Sequence, residues 1–132
     1  MILESYIRVF VETEAFNKTR AFYRTLLNGS DGIHFSYPEK GLELASVVSP
    51  KLSMLIIAGP AELRQPFEST ALTLRVDVLQ PTIDNLLAQG ASQLDPIQKT
   101  PIGRKTRFRH LDGLIVEYVE HHDAADGNNS GQ

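Results

Sequence analysis

The side chains able to do chemistry in this chain form a short list. There are four histidines and no cysteine, which excludes disulfides, thiolate metal sites and a cysteine nucleophile. His34 falls early in a strand-like segment and reads as a surface or core residue. His110 precedes the turn Leu111-Asp112-Gly113, where a hairpin role is expected. His121 and His122 are adjacent and could chelate a metal ion, but they adjoin a polar tail and are expected to be solvated. The remaining candidates are charged or hydroxyl groups set into apolar strands. Period-two alternation puts Tyr6, Arg8 and Phe10 on one face of the first strand and Ile7, Val9 and Val11 on the other. It likewise separates Ala71, Thr73 and Arg75 from Leu72, Leu74 and Val76. Ile115, Glu117 and Val119 are separated from Val116 and Tyr118.

The elements that must position these residues occur twice. Ile7–Val11 reads as a strand, and the stretch from about 15 to 28 carries Phe16, Phe22, Tyr23, Leu26 and Leu27 as a one-faced helical stripe. Gly29 is expected to stop that helix in the left-handed conformation. Leu72–Val76 and a helix from about Pro81 to Gly90 repeat the pattern. Three strands are expected after each helix, at about 33–37, 42–48 and 52–58, then at about 92–96, 105–110 and 114–119. Residues 59–70 read as a loop between modules, and 98–104 as a loop within the second. Two copies of one unit imply a two-module fold with pseudo-twofold symmetry and a groove where the modules face each other.

Composition sets the outer limits. The chain has 132 residues, 42% hydrophobic and 22% charged, with a net charge of −3. That suits a single domain over residues 1–122, with module one at about 5–58 and module two at about 69–120. Each half alone would be marginally stable. The polar, glycine-rich stretch 123–132 is expected to be disordered. Neither a basic footprint for nucleic acid nor a basic run for a membrane surface is present. No signal peptide or membrane-length apolar run is evident, so a cytoplasmic location is expected.

Three segments carry a resemblance. Ala21-Phe22-Tyr23 with Leu26-Leu27-Asn28-Gly29, Leu86-Leu87-Ala88-Gln89-Gly90-Ala91, and Arg109–Gly113 followed by Leu114-Ile115-Val116-Glu117 resemble, in order and spacing, the vicinal oxygen chelate superfamily. That superfamily includes glyoxalase I, bleomycin-resistance proteins and extradiol dioxygenases. The resemblance implies an α+β fold of two βαβββ modules, whose curved mixed sheets surround a central cavity. It also implies a homodimer and, in the enzymes, a divalent metal that stabilises an anionic intermediate.

The metal-ligand positions that the resemblance implies fall on Arg8, Ala71, a residue near Leu55, and Glu117. Only Glu117 has a suitable donor, since arginine stays protonated. A slip of two residues offers Tyr6, Phe10 or Thr73 and rescues no site. No metal or other cofactor is therefore expected. Arg8 and Glu117 are expected to pair where a metal would sit, either replacing the cation or only fixing strand register. Tyr6, Phe10, Phe35, Tyr37, Phe67 and Phe108 are candidate cavity walls, with Thr73 as a further ligand-binding residue. Several of these aromatics would be core instead. Arg75 and Arg107 either serve an anionic group or are solvated at the sheet rim. The leading reading is a metal-independent small-molecule binding protein of bleomycin-resistance type, taking an aromatic or antibiotic-like ligand. Alternatives are a glyoxalase- or dioxygenase-like enzyme, a metal-free enzyme using Glu117 as base, or an interaction module whose dimer surface matters most.

Overall fold

A computed structural model describes residues 1–122; the tail expected to be disordered lies outside the described residues. Module one contains β1 (Ile2–Val11), α1 (Phe16–Leu27), β2 (Ser30–Tyr37), β3 (Leu42–Val48) and β4 (Ser53–Ala58). Between the modules, the expected loop folds into a short helix, α2 (Ala61–Arg64), and a 3-10 turn at Gln65–Phe67. Module two contains β5 (Leu72–Val76), α3 (Leu79–Ala88), β6 (Ser92–Gln93), β7 (Gln98–Thr100), β8 (Gly103–Arg109) and β9 (Ile115–His121). The expected loop at 98–104 thus holds a strand, which pairs with β8 as a hairpin. The α+β class and the βαβββ repeat are those expected.

The strands form one open mixed sheet in the order β2-β3-β4-β1-β5-β9-β8-β6. The modules join within the chain, through the antiparallel pairing of β1 with β5. Each of these two central strands is also paired in parallel with the last strand of its own module, β1 with β4 and β5 with β9. The seam is thereby continuous with both modules' sheets, although the β1–β5 register shifts between Ile2 and Glu4.

Strand alternation divides the apolar side chains as expected at most positions. Under α1, Phe16 packs with Ala45, Val47, Ile56 and Ala58, joined by Val11 and Tyr23. Under α3, Leu79 and Ile83 pack on Leu74, Val76, Val116 and Tyr118. On the opposite, concave face a third cluster holds Tyr6, Tyr37, Leu42, Leu55 and Ile57. Ile7, on the helix side, is 41% exposed.

The helix ends differ from expectation in an informative way. Asn28, not Gly29, takes the left-handed conformation that ends α1, with φ 50°. Asparagine tolerates that region better than other side-chain-bearing residues. Gly29 is needed for another reason: a Cβ there would lie 2.8 Å from the carbonyl oxygen of Val48. α3 starts two residues before Pro81. Its first amide, Leu79 N–H, donates to Glu120 Oε1 at 2.8 Å, so a carboxylate from β9 caps the helix.

Candidate functional site

The concave face carries a pocket that draws on both modules. Its walls include Tyr6, Phe35, Tyr37, Leu42 and Leu44 from module one, and Phe67 from the connection. Thr73, Thr100, Ile102, Lys105, Glu117, Val119 and His121 come from module two. The free space inside is about 60 Å³. A dry engineered cavity that holds benzene is ~150 Å³. The enclosed part therefore seats a head group or a short chain, and a larger ligand must extend through the mouth.

Register brings the polar floor together. Arg8 lies beside Leu55 on β4, while Thr73 pairs with Tyr6 on one side and Glu117 on the other. The Arg8 Nη1 group donates to Thr73 Oγ1 at 2.8 Å and to Glu117 Oε1 at 3.0 Å. The Thr73 hydroxyl donates to the same Glu117 oxygen at 3.0 Å. Arg8 and Glu117 have side chains only 5% and 10% exposed, so this is a buried, charge-assisted network. Burial opposes ionisation of Glu117. Arg8, Lys105 and the Thr73 hydroxyl outweigh it and hold the carboxyl below the usual carboxylate range. A raised proton affinity, which a metal-free base would use, is the opposite of what this setting produces.

Lys105 was not singled out from the sequence. It reaches from β8 to within 3.6 Å of Glu117 Oε2. Its ammonium also lies over the rings of Tyr37 and Phe67, 5.4 and 5.7 Å from their centroids, a favourable cation–π setting. A signal was available: Arg107 is paired with Glu117, and Lys105 with Val119, across β8 and β9. Alternation then puts 105 and 107 on the cavity face.

The same parity corrects the expectation for Phe108. It points to the other face, where it is fully buried under α3 and meets Tyr118 edge-on at 6.0 Å. Phe10 stands beside the pocket rather than in it, packed against the concave cluster with the Arg8 guanidinium 5.5 Å from its ring. Tyr6, Arg8, Phe35, Tyr37, Thr73 and Glu117 line the pocket, as does Phe67.

The histidines separate clearly. His34 Nε2 lies 2.7 Å from a Glu43 carboxylate oxygen on the exposed side of β2 and β3. His110 contacts the Tyr118 hydroxyl at 2.6 Å beside the hairpin turn. His121 is not part of a solvated pair. It belongs to β9 and lines the cavity, two residues beyond Val119 on the same face. Burial and then Arg75 push its pKa down to about 4. Arg75 bonds Glu4 at 2.8 Å, and Tyr6 donates to that same carboxylate. Arg107 grips Asp95 through Nε and Nη2 at 2.7 and 3.2 Å. Both arginines are therefore engaged in ion pairs.

The divalent metal that the resemblance implies does not fit these residues. Among the described residues, no three His, Cys, Asp or Glu side chains gather closely enough to hold a metal ion. At the expected positions Glu117 is already shared by two cations and a hydroxyl. Among the described residues, too, no helix is long and apolar enough to cross a membrane.

No protein-family model and no curated protein matches the chain. Solved structures do. An uncharacterised protein from Methanosarcina mazei is 36% identical, with 92% of this chain and 94% of that one covered and a TM-score of 0.79. Methylmalonyl-CoA epimerase from Mycobacterium tuberculosis is 14% identical, covering 92% of this chain and 89% of its own, with a TM-score of 0.68. A variant of 4-hydroxymandelate synthase from Streptomyces coelicolor is 15% identical over 93% of this chain and 50% of its own, with a TM-score of 0.60. The chain thus belongs to one family with the Methanosarcina protein, and it has the fold of the epimerase and the synthase, two members of the vicinal oxygen chelate superfamily.

Proposed function

We propose that this protein is a metal-independent small-molecule binding protein, built on the plan of the bleomycin-resistance proteins, that holds the end of an aromatic or antibiotic-like ligand in its concave pocket. The observation that carries this reading is the Arg8–Thr73–Glu117 network at the floor of a largely apolar cavity. An internal guanidinium occupies the electrostatic role that a cation fills in the superfamily's enzymes, leaving an apolar space walled by Phe35, Tyr37 and Phe67. Such a site binds without a reactive centre.

The test is metal content together with thermal shifts. Protein free of stoichiometric metal, with no saturable shift from Zn²⁺, Ni²⁺, Mn²⁺ or Fe²⁺ but a saturable shift from members of an aromatic and antibiotic panel, supports the reading. A metal-dependent shift abolished by Glu117→Ala sinks it. A second reading, a proton-transferring enzyme of the epimerase sort, is favoured by the fold neighbours. It requires Glu117 to give up its two cationic partners. Deuterium exchange into an acyl-thioester substrate would support it.

A further inference from the structure

The buried charges of the pocket do not balance. Arg8 and Lys105 contribute two positive charges against the single negative charge of Glu117. The neighbouring charged residues offer no relief, because Arg107 is paired with Asp95 and Arg75 with Glu4. Lys40 also lines the pocket but is exposed, so water and salt screen its charge and it does not enter this balance. The Lys105 side chain is only 12% exposed. Its ion-pair contact with Glu117 Oε2 is long, at 3.6 Å. On the floor below, Arg8 Nε is buried and has no partner. Burying an uncompensated charge or donor is costly, and aromatic faces recover only part of that cost.

We infer that the natural ligand is a monoanion, a carboxylate on an apolar body, whose head binds Lys105 beside the Arg8–Glu117 pair. This rests on the small-molecule-binding reading and adds the charge and orientation of the ligand. One negative charge restores neutrality among Arg8, Glu117 and the largely enclosed Lys105. The carboxylate also supplies acceptors for the ammonium, while the apolar body lies against Phe35, Tyr37 and Phe67. The free space of about 60 Å³ admits such a head and a short length of chain. A dianion would overshoot the surplus, and an amine would add to it.

The experiment compares isosteric pairs by calorimetric titration: butyrate with butyramide, and benzoate with benzamide, with benzylamine as the cation. The expected result is that each acid binds on the order of tenfold or more tightly than its amide, that benzylamine does not bind, and that Lys105→Met removes the preference. Amides or the amine binding as well as the acids would overturn the charge inference while leaving a small-molecule site in place. Failure of the whole panel to bind would overturn both. A ligand-free measurement stands beside these. Because Lys105 carries the surplus charge, Lys105→Met is expected to raise the thermal midpoint of the ligand-free protein. A lowered midpoint, or failure to fold, would mean that Glu117 and the two rings already compensate the ammonium, and would overturn the inference.

Discussion

Thr73 stands directly across from Glu117 on neighbouring parallel strands, and its hydroxyl both donates to Glu117 Oε1 and accepts from Arg8 Nη1. One small side chain thereby links a carboxylate of module two to a guanidinium of module one. Thr73→Val keeps the shape and removes both bonds. The expected loss is ~1–3 kcal/mol of unfolding free energy, as for bonds to charged groups, measured by urea denaturation.

Removing the carboxylate of the buried pair is expected to cost more. Glu117→Gln should destabilise by ~3–5 kcal/mol, because it leaves Arg8 and Lys105 without a counter-charge. Arg8→Met leaves Glu117 facing Lys105 and should cost less, ~1–3 kcal/mol for the lost bonds to Thr73 and Glu117. The double variant should be less destabilised than the sum of the singles, with a coupling of at least ~1 kcal/mol in a double-mutant cycle. Additive effects would show that the two groups do not interact energetically.

Acid should weaken the protein through several groups held below their ordinary values, among them Glu117 and His121 in the pocket. The folded-state pKa of Glu117 lies below its ordinary value. Its contribution is therefore present above the unfolded value and lost as pH falls through the folded one. His121 is held down to about 4 from 6.5, so between those values the unfolded chain binds the extra proton and stability falls as pH drops. His121→Gln should flatten the stability profile in that window. Glu117→Gln should flatten it at lower pH. Urea midpoints across the acid range measure both.

Phe108 and Phe35 should separate stability from binding. Phe108→Ala empties a fully buried site beneath α3 and is expected to cost ~3–5 kcal/mol. Phe35→Ala, at the partly buried cavity wall, should weaken ligand binding with a smaller loss of stability. Chemical denaturation and ligand titration on both variants check the contrast.

Gly103 should tolerate no side chain. It pairs with His121 at the start of β8, and a Cβ there would fall 1.9 Å from the carbonyl oxygen of Glu120. The clash is with backbone, so Gly103→Ala must move a strand and is expected to cost ~1–3 kcal/mol or more. A thermal midpoint equal to that of the unsubstituted protein would contradict this contact.

Much of this was legible in the residues themselves. The duplicated strand–helix pattern gave the architecture, and period two gave the correct faces of β1, β5 and β9, including Arg8, Thr73 and Glu117. The strand β7 was hidden because Gln98–Thr100 is only three residues of polar or charged side chains, too short for periodicity to register. Phe108 misled because its aromatic side chain was weighed apart from strand parity, and the same omission concealed Lys105. His121 was obscured by its closeness to the polar tail, although β9 runs through it. Asn28 rather than Gly29 ended α1 because a left-handed cap and a close backbone approach can fall on adjacent residues and compete for the same interpretation.

The cavity's walls are chemically unlike. Phe35, Tyr37, Leu42 and Leu44, from one continuous stretch of module one, face Lys105, Glu117 and Thr73 of module two. The two repeated units are thus unequal, and the space between them has no twofold axis. A molecule held by its polar end presents different sides to different walls. A molecule turned end for end would meet the wrong wall at each end, so such a site would fix the direction of what it holds, as a keyed slot does.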